Sequence, residues 1–177
     1  MSAMHPLIWE SAARDGFVES VQAMRARVTD NIPKAEIDRQ IKLGPGGLRD
    51  VEFTVQLLQL VHGRTDPTVR TQATVDSLGA LTNASYIGRA DAAQFTDDYK
   101  YLRLLEHRIQ LLRMRRTHLM PDKPADQRVL ARSIVPTDEI GKLNVDEMMK
   151  AWNRLKRHVK SLHQQLFFRP LLAAVAN

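Results

Sequence analysis

The sequence predicts an all-α protein, a single bundle of five to six helices. Apolar residues recur at alternating spacings of three and four along nearly the whole chain, the period of one helix face, and no window shows sustained period-2 alternation rich in β-branched residues. The length of 177 residues suits one domain, and 44% apolar content is enough to bury a core without disulfide or metal support. There is no internal repeat, low-complexity tract or linker long enough to divide the chain, so residues 1–177 read as one helical domain.

Phe17, Val21, Met24 and Val28, spaced four, three and four apart, mark the first helix, with a shorter piece carrying Leu7, Ile8 and Trp9 ahead of it. Asn31-Ile32-Pro33 ends that helix. A turn-forming cluster, Ile41 to Gly47, then leads into a second helix with Leu48, Val51, Val55, Leu58 and Val61 on one face and Gly63 as its C-terminal cap. After a loop containing Asp66-Pro67, Thr71 is the expected cap of a short third helix using Val75, Leu78 and Leu81. The fourth is long, from about Asp91 to Arg116, and is closed by Pro121 and Pro124. Pro124 suits the first turn of a small fifth helix bearing Val129, Leu130 and Ile134. Asn144 and Glu147 form an Asn-led relative of the capping box before the last helix. Val145, Met148, Trp152, Leu155, Val159, Leu162 and Leu166 follow at spacings of three and four, and Arg169-Pro170 is expected to stop or kink it.

Composition removes several classes of function. Cysteine is absent, which excludes a thiol nucleophile, a zinc knuckle, an iron–sulfur cluster and a disulfide, and fits the cytoplasm. No apolar run reaches the length of a membrane span. No Gly-x-Ser-x-Gly elbow is present, and the six histidines show no His-Glu-x-x-His or other metal spacing, so they read as structural or surface residues. Trp9 and Trp152 sit in apolar patterns and read as core.

The net charge of +6 is concentrated. Residues 100–116 carry six Lys and Arg against Glu106, and residues 150–163 carry five with no acid, so two helices supply all the positive excess. A nucleic-acid surface is one reading, but no helix-turn-helix, RNP-like or zinc-finger pattern accompanies it, and stacking aromatics are scarce. A solvated or protein-facing helix surface fits better, and an interaction bundle pairing through the stripe from Val145 to Leu166 is a further alternative.

Residues 41–49 form the most informative segment, a Gly-rich interface loop. Pro45-Gly46 is a good central pair for a type II turn, Gly47 permits close backbone approach, and the helix that follows opens with N–H groups in need of acceptors. With Lys42 before the turn and Arg49 after it, the loop reads either as an anion cradle suited to phosphate or as a plain connector. Arg49, Glu52, Gln56 and Gln59 draw one polar stripe on an otherwise apolar helix, facing water, an internal network or a neighbouring domain.

The string Lys42-Leu-Gly-Pro-Gly-Gly-Leu-Arg-Asp-Val-Glu-Phe53 resembles the glutamine synthetase adenylyltransferase/adenylyl-removing family. The resemblance continues through His62-Gly63-Arg64-Thr65-Asp66-Pro67, Leu105-Glu106-His107-Arg108 and Thr117-His118-Leu119-Met120-Pro121 to Leu166-Phe167-Phe168-Arg169-Pro170. A Gly-Pro-Gly-Gly-Leu-Arg-Asp string also occurs in the uridylyltransferase of the PII signalling protein, and the downstream segments favour the adenylyltransferase. The resemblance implies a helical domain following a nucleotidyltransferase domain, a fragment of a larger multidomain enzyme, with the Lys-Leu-Gly-x-Gly-Gly-Leu-Arg form looking like the N-terminal, adenylyl-removing half. It implies ATP and magnesium for the parent enzyme and, as partners, the preceding catalytic domain, glutamine synthetase and the PII protein. The family's Gly-Ser dipeptide and Asp-x-Asp pair are missing from all 177 residues, so the fragment alone is expected to hold neither cofactor and to be inactive. Lys42, Gly46, Gly47, Arg49 and Glu52 are then the residues expected to approach nucleotide phosphate or to fix the domain interface.

Overall fold

In the computed structural model, which describes Trp9, residues 14–134 and residues 144–168, six α-helices carry the fold. They are α1 Phe17–Asp30, α2 Leu48–His62, α3 Thr74–Asn83, α4 Arg89–Arg113, α5 Pro124–Ser133 and α6 Val145–Phe168. Short 3-10 turns occupy Ile37–Arg39 and Pro67–Val69, and extended pairing among the described residues is confined to one antiparallel bridge, Gln40 to Leu119. Leu7 and Ile8 of the expected leading piece and the stop at Arg169-Pro170 lie outside the described residues.

Local chemistry accounts for the boundaries. Asn144 and Glu147 cap α6 reciprocally: Glu147 N–H donates to Asn144 Oδ1 at 2.8 Å and Asn144 N–H to Glu147 Oε2 at 3.3 Å. Pro124 opens α5, where its missing N–H costs nothing. Helix α4 ends at Arg113, three residues early, because Met114 takes the left-handed conformation at φ 49° and diverts the chain. Thr71 does not cap α3, which starts after Ala73; its hydroxyl lies 2.7 Å from that of Ser77 instead.

Two apolar clusters fill the interior. Leu48, Val51, Leu81, Phe95, Leu102 and Val159 belong to one, and Ile41, Leu105, Met120, Leu130, Met148 and Trp152 to the other. The long helices α4 and α6 run through both, and Tyr101 packs against both. Helix α2 packs chiefly against α6.

Burial is uneven along three of the apolar stripes. On α1, Phe17, Val21 and Val28 are half-buried and Met24 is 46% exposed, while the buried residue of that helix is Arg25. A charged group is buried there because an acid on α2 receives it. Val129 is half exposed, leaving Leu130 and Ala131 to anchor α5. The α6 stripe is internal, with Met148, Trp152, Leu155, Val159 and Leu162 all buried, so it is not open to pair with another bundle.

Candidate functional site

Residues 44–47 make the expected type II turn: Gly47 N–H donates to Gly44 O at 3.0 Å and Gly46 sits at φ 76°. A Cβ on Gly46 would stand 2.1 Å from the carbonyl oxygen of Lys156, so the turn presses directly on the backbone of α6. A Cβ on Gly47 would come within 2.7 Å of Ile41 O. Both glycines are explained by packing inside the bundle.

The N–H groups that could have cradled an anion are already used. Leu48 donates to Ile41 O, Arg49 to Lys42 O and Asp50 to Gly47 O, at 3.0, 3.0 and 3.1 Å. Gly46 N–H donates to Asp50 Oδ2 at 2.6 Å. The loop's own carbonyls and one carboxylate therefore cap α2, and the positive groups left for a ligand are side chains.

Asp50, only 3% exposed, is the centre of this arrangement. Its Oδ1 accepts from Arg25 Nη2 at 2.6 Å and Nε at 2.8 Å, tying α1 to α2. His163 of α6 brings Nε2 to 3.5 Å of the same oxygen, and its Nδ1 lies 2.7 Å from the hydroxyl of Thr54. Burial holds the His163 imidazole below its usual pKa; Arg25 adds to that shift and Asp50 opposes it.

Glu106 of α4 anchors the other side of the loop. Lys42 Nζ reaches Oε1 at 3.0 Å and Arg103 reaches Oε2 at 2.6 Å. His118 Nδ1 lies 3.1 Å from Oε1, off line for a hydrogen bond; burial first, then the neighbouring Lys42, lowers its pKa against the pull of Glu106. Arg49 pairs with Glu52 at 3.0 Å, and Tyr99 donates to the other Glu52 oxygen at 3.4 Å. The polar stripe on α2 thus divides: Arg49 and Glu52 are partly exposed, Gln56 faces solvent, and buried Gln59 donates to Val69 O and Thr71 O at 2.7 and 2.9 Å. Lys42, Gly46, Gly47, Arg49 and Glu52 are all in one loop and the first turn after it, with Lys42 and Arg49 joined through their backbones.

The other polar groups are structural or face outward. His158 bonds Asp98 at 2.5 Å, His62 stacks on Tyr86, and Trp9 packs at Gly63 beside the Arg70 guanidinium. The basic residues of α4 and α6 are mostly solvent-facing, except Lys156, which donates to Asp38 O and lies over the Trp152 ring. No helix among the described residues is long and apolar enough to cross a membrane. In the sequence Asp50 and Glu106 stand only within the family-like strings, with nothing to mark a role, and Arg25 and His163 carry no local signal at all.

The family described as GlnD PII-uridylyltransferase matches residues 22–167. A bifunctional glutamine synthetase adenylyltransferase/adenylyl-removing enzyme from Leifsonia xyli is 56% identical over 99% of this chain, and the one from Streptomyces coelicolor is 54% identical over 100% of it. The enzyme of the same name from Mycobacterium bovis is 48% identical over 99%. The chain spans only 17–18% of the length of these curated relatives. The chain therefore belongs to the GlnD PII-uridylyltransferase family, and over its whole length it is similar to bifunctional glutamine synthetase adenylyltransferase/adenylyl-removing enzymes.

Proposed function

We propose that this chain is the helical domain following a nucleotidyltransferase domain in an enzyme that adenylylates and deadenylylates glutamine synthetase, within its adenylyl-removing half. Its role there is that of a regulatory scaffold. The observation that carries the reading is the braced loop: Asp50 and α6 fix its shape from within, while Lys42 and Arg49 remain partly exposed at its edge. A loop so held can set two cations against a neighbouring domain without an ordering cost at the moment of contact.

ATP and magnesium belong, on this reading, to the preceding domain. The two buried acids beside the loop do not suit magnesium, because Asp50 is already bound by Arg25, and Glu106 by Lys42 and Arg103. With the missing Asp-x-Asp pair, that assigns no chemical step to this chain. Glutamine synthetase and the PII protein are the partners this reading implies, with the exposed basic faces of α4 and α6 available to an acidic surface.

Arg49→Ala in the full-length protein that carries this chain tests the proposal. A charge-assisted contact to phosphate or to the adjoining domain is worth about 1.5–3 kcal/mol, so removal of AMP from adenylylated glutamine synthetase is expected to slow roughly tenfold to a hundredfold. Thermal unfolding should stay close to that of the parent. Unchanged activity together with unchanged nucleotide affinity would remove the loop from the function.

A further inference from the structure

A second cationic feature lies apart from Lys42 and Arg49. Between the C-terminal turn of α4 and the segment 115–123 is a cleft of about 410 Å³. Its polar wall carries Arg39, Arg115, Arg116 and Lys123, and its floor is apolar, formed by Ile109, Leu112 and Met120. The walls are locked together by backbone bonds: Met120 N–H donates to Arg39 O at 2.8 Å, Ile41 N–H to His118 O at 2.9 Å, and Gln40 bridges Leu119. The site is therefore formed before any ligand arrives.

Its charge is unbalanced. Asp122 is the one acid among the lining residues, and Arg39 occupies it at 2.6 Å. Arg115, Arg116 and Lys123 make no ion pair with a described residue, and Arg39 Nε is a buried donor with no acceptor. Three cations with no acid partner among the described residues call for a multiply charged oxyanion, and the apolar floor calls for carbon. The concave shape and small volume fit one small molecule better than an extended polyanion track.

We propose that this cleft binds an organic phosphate, its phosphate groups held by Arg39, Arg115, Arg116 and Lys123 and its organic part lying on Ile109, Leu112 and Met120. The site uses none of the residues assigned above to the domain interface, so the two readings fail independently.

The test is calorimetric titration of the 177-residue chain with inorganic pyrophosphate and, separately, with ADP. One saturable site is expected for each probe, with ADP the tighter because its ring reaches the floor. The double variant Arg115→Ala/Arg116→Ala, altered only at exposed positions, should weaken both by tenfold or more. Arg157→Ala/Lys160→Ala removes the same charge from the exposed face of α6 and should change either affinity less than twofold. Absence of saturable binding, or equal losses in the two double variants, would overturn the site. Pyrophosphate binding as tightly as ADP would overturn the organic part of the assignment.

Discussion

Asp50, in the first turn of α2, ties together three separate parts of this molecule. It receives Arg25 from α1, the Gly46 amide from the turn and the approach of His163 from α6. Truncating one member of a buried ion pair leaves the other charge desolvated and unpaired, which typically costs about 3–5 kcal/mol. Asp50→Ala should therefore lower the unfolding free energy measured by urea denaturation by that amount. The double change Arg25→Met/Asp50→Leu should recover much of it, though not all, because the Gly46 N–H still lacks its acceptor; a double variant no more stable than Asp50→Ala would refute this accounting. His163 adds a pH dependence whose sign follows from its lowered pKa. The unfolded chain takes up the proton near the usual 6.5 and the folded chain only below that, so stability is full above about pH 6.5 and declines as pH falls through the window beneath it. His62 and His118 shift in the same direction. His163→Gln should accordingly reduce the acid-side slope of the unfolding midpoint against pH without abolishing it, and an unchanged slope would show that His163 does not contribute.

At the scale of elements, the contact between the loop and α6 is the one most exposed to a single added methyl group. Gly46 and Gly16 have nearly the same backbone, φ 76° and 69°, so alanine is strained at both. Only at Gly46 would the new Cβ also meet a helix backbone, 2.1 Å from Lys156 O; around Gly16 there is nothing within 4 Å. Gly16→Ala should cost about 1 kcal/mol and Gly46→Ala about 3 kcal/mol or more by thermal unfolding. Equal losses would mean that loop and helix do not touch as described. The same contact shows what was legible in the sequence. Pro45-Gly46 disclosed the turn and Leu48 the start of α2, because turn type and apolar period are local properties. That the turn rests on a residue 110 positions later is not local, and nothing near Gly46 signals it. Arg25 was missed for a related reason: the apolar pattern of α1 pointed to Met24, while the ion pair that buries Arg25 depends on an acid 25 residues away. The available signal was on α2, where Asp50 and Thr54 stand four apart among apolar residues and are both buried.

The whole molecule poses the question of how its two apolar clusters are coupled. Leu81 is fully buried in the first and Leu130 is 1% exposed in the second, with no residue shared between the two sets except the flanking Tyr101. Loosely joined clusters would melt separately, as domains with small interfaces do. Here the first cluster takes Phe95, Leu102, Val159 and Leu162, and the second takes Leu105, Ile109, Met148 and Trp152, all from the same two helices, α4 and α6. Unfolding either half breaks a helix that the other half needs, and an interrupted helix loses the packing that supplies most of its stability. Leu81→Ala and Leu130→Ala, each costing about 2–5 kcal/mol through the cavity left behind, should therefore each lower a single transition observed coincidentally by far-ultraviolet and near-ultraviolet circular dichroism. Two resolved transitions, with Leu81→Ala moving one and Leu130→Ala the other, would mean that α4 and α6 do not couple the two clusters and that the chain is two units rather than one.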